Sequence, residues 1–164
     1  MECPRCHIPA LVVEHDGVEL DHCSECGGTW FDSGELALLF AGEPSGGSHA
    51  GGPDPESLGM WVNPERIAAL PDAAGDEKPR RCPICRTRMR KVNIGPSNRV
   101  LIDACPRGHG LWFDDTEVAT LAADLSAAVG ELPRRAAAFL GDTVGEAAAR
   151  SAASADHERK DVER

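Results

Sequence analysis

With 164 residues, only 4% aromatics, 17 glycines and 12 prolines, the chain is long enough for one ordinary domain but thin in material for a single large core. Seven cysteines, an odd count with no apolar leader-type segment ahead of them, argue against a secreted disulfide framework and point to a reducing, cytoplasmic setting. No stretch reaches the roughly 18 uncharged apolar residues of a membrane span, since Asp124 interrupts the best candidate, and the net charge of -10 hides one basic segment among acidic ones.

Residues 1–40 hold eight acidic residues against one arginine, whereas residues 79–120 hold eight basic residues against four acidic ones. The organisation read from this is a first module over 1–42, a Gly/Pro-rich linker with a short helix over 43–78, and a second module over 79–124. An Ala-rich helical segment over 125–155 and a charged tail over 156–164 complete the chain.

The first module opens on Cys3-Pro-Arg-Cys6. Leu11-Val12-Val13 and Val18-Glu19-Leu20 then flank His15-Asp16-Gly17, which predicts a β-hairpin about an Asp-Gly turn. Cys23 and Cys26 follow, and Trp30-Phe31 leads into Asp32-Ser-Gly-Glu35, a capping-box pattern that predicts a helix over Gly34 to Phe40. Residues 41–60 have the composition of a connector. Asn63-Pro64 then predicts one or two helical turns, with Trp61, Ile67 and Leu70 either docked on a module or exposed to a partner.

The second module repeats the first. Cys82-Pro-Ile-Cys85 stands 79 positions after the first pair, and Cys105 through Trp112-Phe113-Asp114 to Glu117 stands 82 positions after its counterpart. The three extra residues fall in the turn Gly95-Pro96-Ser97-Asn98, between predicted strands Met89 to Ile94 and Arg99 to Ile102. A longer helix is expected over Asp115 to Val129. Beyond it, Pro133 to about Ala153 is a further helical stretch whose Phe139, Leu140 and Val144 side would pack on the preceding helix or support self-association.

A tetrahedral zinc ion takes four thiolate or imidazole ligands, and a Cys-x-x-Cys turn presents two thiolates on one knuckle. Cys3, Cys6, Cys23 and Cys26 supply one full set. In the second copy Gly108 stands where Cys26 aligns, and His109, one position later and with a longer side chain, completes Cys82, Cys85 and Cys105 as a Cys₃His set. Full ligand sets leave no open position for substrate, so the expected role of two Zn²⁺ ions is structural and no enzymatic activity is expected.

The run Cys-Pro-x-Cys, hairpin, Cys-x-x-Cys-Gly-Gly-x-Trp-Phe-Asp-x-Gly-Glu-Leu resembles the bacterial zinc-finger family named after the zinc ribbon of transcription factor IIB. The second copy departs from it at one ligand, and both have a non-glycine, His7 or Arg86, after the first knuckle. The resemblance implies zinc binding and a ribbon fold over residues 1–40 and 80–122. The expected architecture is therefore a small, metal-organised α+β protein with two zinc-ribbon modules and a C-terminal helical segment.

Rival readings attach to the same residues. Cys3-Pro-Arg-Cys6-His7 matches the haem-attachment pattern, but there is no export signal, Arg86 replaces the histidine in the duplicate, and Cys23 and Cys26 would have no role. An iron-thiolate redox site remains open, with His109 against it. His15, His22, His49 and His157 read as exposed polar residues, His22 being the one placed to replace a ligand in a slipped register. Arg80, Arg81, Arg86, Arg88, Arg90 and Lys91 form a basic stripe able to meet nucleic-acid phosphates, or an acidic protein surface. The reading preferred is an adaptor that binds another protein, with a nucleic-acid-binding regulator as the alternative.

Overall fold

The computed structural model describes residues 1–40, 58, 61–74, 78, 80–130 and 132–141. Its centre is a six-stranded antiparallel sheet. The first module contributes β1 (Leu11–His15), β2 (Val18–His22) and β3 (Thr29–Asp32), and the second contributes β4 (Arg90–Ile94), β5 (Val100–Ala104) and β6 (Gly110–Phe113). Between and after them lie helices α1 (Glu35–Phe40), α2 (Pro64–Ala69) and α3 (Glu117–Val129), and residues 134–141 are also helical.

Both hairpins form where the sequence places them. Asp16 and Gly17 take φ of 48° and 79°, the pair of left-handed residues that a two-residue turn needs to match the twist of its strands. The second hairpin is shifted by a residue or two at its ends, and its longer turn has Gly95 and Asn98 at positive φ.

A third strand in each module, which the hairpin and capping patterns do not predict, runs through Trp30-Phe31 and Trp112-Phe113. These strands join the two modules. The strand order is β1-β2-β3-β6-β5-β4, and β3 pairs with β6 in the register Thr29↔Phe113, Trp30↔Trp112, Phe31↔Leu111, Asp32↔Gly110. Since Trp30 and Trp112 are equivalent by the repeat, an approximate two-fold axis passes through that pair.

Alternation along β3 and β6 sends successive side chains to opposite faces. Phe31 and Phe113 meet edge to face at 5.2 Å on the face that carries the helices. Leu36, Leu39, Phe40, Val62, Ile67, Leu121, Leu125, Ala136 and Phe139 are buried in the same core. Trp30 and Trp112 point to the other face, where they are packed with Cys3, Cys23, Cys82, Cys105 and Met89. One sheet thus separates an apolar helical layer from a layer of knuckles.

Trp61 and Leu70, left open between docking and exposure, pack with buried Ile67 against the helical-side core. Asn63 caps α2 through its side chain, whose Oδ1 accepts the Arg66 amide N–H at 3.0 Å. In the C-terminal segment Ala136 and Phe139 are buried within the chain, and Val144 lies outside the described residues.

The capping boxes are half formed. Glu35 and Glu117 accept the amide N–H of Asp32 and Asp114 at 2.6 and 2.7 Å, as the pattern predicts. The two aspartates do not cap: Asp32 and Asp114 accept the indole N–H of Trp30 and Trp112 at 2.7 and 3.1 Å. Two residues apart on a strand, each aspartate is nearer the indole on its own face than the first helical turn.

Burial, reinforced by the charges of Asp114 and Asp103, pushes the Glu117 carboxyl up to about 7. The folded state therefore favours the protonated acid, so stability is greatest below the unfolded value near 4.5 and declines as pH rises through 7. Glu117→Gln keeps an acceptor for the Asp114 amide without the charge. Its urea midpoint, measured on zinc-loaded protein, should exceed the parent's at pH 8, and the gap should narrow at pH 6.

Candidate metal centres

Each centre is assembled by one hairpin that brings two turns together. In the first knuckle of each module the cysteine carbonyl accepts from the amide four residues on, His7 to Cys3 at 2.9 Å and Arg86 to Cys82 at 2.9 Å. His7 and Arg86 take φ of 61° and 59°, so the left-handed position usual for glycine in a zinc knuckle is kept although the residue is not glycine. The second knuckles differ. Gly27 closes on Cys23 after four residues, whereas Gly108 closes on Cys105 after three, at 3.0 Å, and both glycines have positive φ. The tighter turn carries the fourth ligand one position further along, where the longer imidazole of His109 reaches back.

The donor atoms of Cys3, Cys6, Cys23 and Cys26 lie within 4.8 Å of one another, and so do those of Cys82, Cys85, Cys105 and His109. Cys3 and Cys26 Sγ are 3.7 Å apart, as are Cys85 and Cys105 Sγ. A tetrahedron with zinc–sulfur arms of about 2.3 Å has edges of about 3.8 Å, so these separations fit one ion at each centre, whereas disulfide bonding needs about 2.05 Å. His109 faces its centre through Nδ1, 3.5 Å from Cys105 Sγ and 3.8 Å from Cys82 Sγ. The seven cysteines are unbridged.

Backbone amides are already aimed at the sulfurs. Arg5 and Cys6 N–H point at Cys3 Sγ at 3.4 and 3.3 Å, and Arg107 N–H points at Cys105 Sγ at 3.4 Å. Such donors stabilise a thiolate once metal has displaced its proton. Burial pushes the metal-free thiols of Cys3, Cys26 and Cys82 up to about 11 and raises Cys6 as well. A hydrogen bond from the Thr87 side chain brings Cys85 down to about 6, and at Cys23 amide donors outweigh burial to give a lowered value. Zinc binding must therefore expel protons from both centres.

His22 is not a ligand. It is buried with Nδ1 3.2 Å from Thr29 Oγ1, and His15 is half-buried against the Phe139 ring at 5.7 Å, so the reading of both as exposed polar residues is corrected. Both sit on strand β1 or β2, whose inner faces are covered by the helical layer. His7 is exposed beside Glu2, while His49 and His157 lie outside the described residues.

The basic stripe is divided by internal carboxylates. Arg80 pairs with Asp103 and Asp114, both at 2.9 Å, and Lys91 is buried 3.1 Å from Asp103. Arg90 pairs with Asp72 and donates to the carbonyls of Ala68 and Leu70. Arg81, Arg86 and Arg88 remain exposed, with Arg86 3.8 Å from Glu2 of the first module. Asp114 is shared between modules, since Arg5 also approaches it at 3.6 Å.

Two glycines that sequence reasoning passed over hold the seam. A Cβ on Gly28 would overlap the Trp112 ring, and one on Gly110 would stand 2.6 Å from Trp30 Cζ2. Each module leaves out one side chain where the other module inserts its tryptophan. The signal was present as Gly-x-Trp in both copies, Gly28-Thr-Trp30 and Gly110-Leu-Trp112.

His109→Ala is expected to lower the zinc content from two ions per chain to one, by elemental analysis of protein purified against a competing chelator. Two ions retained would remove His109 from the ligand set.

Among the described residues no helix is long and apolar enough to cross a membrane. Comparison with curated proteins and with solved structures finds no match. Residues 2–42 match the family model of the TFIIB-type zinc ribbon, described as a transcription factor zinc-finger. The four thiols of the first centre lie inside that match, so residues 2–42 are similar to a zinc ribbon of the transcription factor zinc-finger type, and the Cys82, Cys85, Cys105 and His109 centre fits a second zinc-binding module.

Proposed function

We propose that this zinc-binding protein is a non-enzymatic, cytoplasmic adaptor, in which two structural ions and one continuous sheet hold a surface that binds another protein. The observation that carries this reading is the internal use of the basic stripe. Arg80, Arg90 and Lys91 are engaged by Asp103, Asp114 and Asp72, and their charge is spent within the fold. Meanwhile Leu11, Val12 and Val13 stand exposed together on the acidic first module. Donor sets already complete at four leave the ions structural in this reading.

The exposed Arg81, Arg86 and Arg88 support the second reading, a nucleic-acid-binding regulator. A retardation assay with DNA and RNA across a salt series separates the two. Phosphate-led binding weakens steeply with salt and disappears in an Arg81, Arg86 and Arg88 to Glu triple variant. The adaptor reading expects no retention at low salt, together with a protein that is crosslinked to the zinc-loaded chain and not to the chelator-treated one. Visible absorption by the purified protein would instead show iron-thiolate centres.

A further inference from the structure

The approximate two-fold symmetry of the sheet is broken at its two outer edges. At the second module's edge, the chain adds a segment of its own to β4: the Ala73 amide donates to the Lys91 carbonyl at 2.8 Å, and Arg90 fixes Asp72 and the carbonyls of Ala68 and Leu70. Met89, Lys91, Val92 and Ile94 are buried along this strand.

The hairpin registers make Val12 the counterpart of Lys91. Leu11 pairs with His22 as Arg90 pairs with Ala104, and the Glu2↔Pro9 bridge repeats as Arg81↔Arg88. Hairpin geometry with a two-residue turn directs the N–H and C=O of Val12 away from β2, the same outward direction in which Lys91 accepts Ala73. Among the described residues no backbone hydrogen bond reaches these Val12 groups. Leu11, Val12 and Val13 are 56%, 65% and 40% exposed. Proteins ordinarily blunt such an edge with charge, proline or a covering segment, because an apolar edge with free donors and acceptors accepts another strand.

The surroundings choose the strand. Glu14, Asp16 and Glu19 are exposed and Asp21 half-buried around this edge, in a module with eight acidic residues and one arginine. A second copy would set two such acidic edges against each other, which like-charge repulsion opposes. An extended segment with alternating apolar and basic residues meets both the apolar side chains and the field.

We propose that the outer edge of β1, centred on Val12, takes up an extended, basic and apolar segment of a partner protein by β-strand addition. This deepens the adaptor reading and rests on it for the partner's existence.

The test uses the full-length, zinc-loaded protein and a blocked eight-residue peptide of alternating lysine and valine, with a glutamate and valine peptide as control. The lysine peptide should shift and protect the amide resonances of Val12 and Glu14, and bind at least tenfold more tightly than the control. Val12→Pro, which removes an outward N–H, should weaken it at least tenfold while zinc content stays at two ions. Val12→Lys keeps the N–H and opposes the peptide's charge, so it should give a comparable loss even if the proline variant folds poorly. Equal binding of both peptides, shifts confined to other strands, or a concentration-dependent dimer abolished by Val12→Lys would each overturn the proposal. If a protein partner is crosslinked to the chain but is indifferent to both Val12 variants, the edge proposal falls and the adaptor reading stands. If the peptide binds at Val12 and no protein partner exists, the adaptor reading falls.

Discussion

Stripping zinc from the protein is expected to unfold the knuckle layer and with it the sheet. Structural zinc contributes about 10–16 kcal/mol per site at neutral pH, against a total of roughly 5–15 kcal/mol for an ordinary domain. The metal has no substitute here. Trp30, Trp112 and Met89 are buried against Cys3, Cys23, Cys82 and Cys105, so the apolar contents of this layer rest directly on the ligands. Loss of the bonds joining the first knuckle of a module to its second frees both ends of the hairpin and exposes the tryptophans at the seam. A strong chelator should therefore shift tryptophan emission to the red and abolish near-ultraviolet dichroism, and added zinc should restore both. A metal-free protein with native dichroism would place the stability in the helical layer instead.

The pH dependence has a definite sign. Because Cys3 and Cys26 are held near 11 and Cys6 is raised, the metal-free first centre keeps at least three protons at pH 7.5, which zinc must displace. In the second centre Cys85, near 6, is already a thiolate, and Cys82 is the thiol pushed up to about 11. Zinc affinity should fall with acid at both centres. Titration calorimetry in buffers of different ionisation enthalpy, on single-site variants, should find protons released at each.

The second large effect is expected at Gly28. Substitution by Ala sets a methyl group inside the Trp112 ring, and Trp112 is fully buried. Overpacking of a core costs about 1–3 kcal/mol and more where neither partner yields, and here the obstacle is the β3–β6 pairing itself. Gly28→Ala should cost about 3 kcal/mol and remove amide protection along β3 and β6, while both zinc ions stay bound. Gly141→Ala, in a helix with nothing within 4 Å, is the control and should be neutral or slightly stabilising. Equal effects at the two glycines would mean that the tryptophan cradle does not hold the modules together.

How far each of these results could be foreseen depends on the range of the interaction behind it. The ligands, the hairpins and α2 were legible because each is local chemistry. A Cys-x-x-Cys turn, an Asp-Gly pair at positive φ and an Asn-Pro helix start are decided within a few residues by backbone sterics and nearby hydrogen bonds. Even His109 followed from reach, one extra position matched by one longer side chain. The capping aspartates failed for the converse reason: Asp32 and Asp114 had a competing indole partner on the same strand face, invisible until that stretch was known to be a strand.

By itself, the sequence determined two metal-organised modules and the atoms that hold their ions, since those are repeated short-range patterns. Only the tertiary structure decided that the modules share one sheet through Trp30 and Trp112, that both centres lie on one face, and that half the basic stripe is neutralised at home. Strand edges carry the same donors and acceptors whatever follows them, so which edge meets which is set by shape and charge brought from distant parts of the chain. The glycines at 28 and 110 show this most directly, because each lies against a tryptophan 80 or more residues away in the other module.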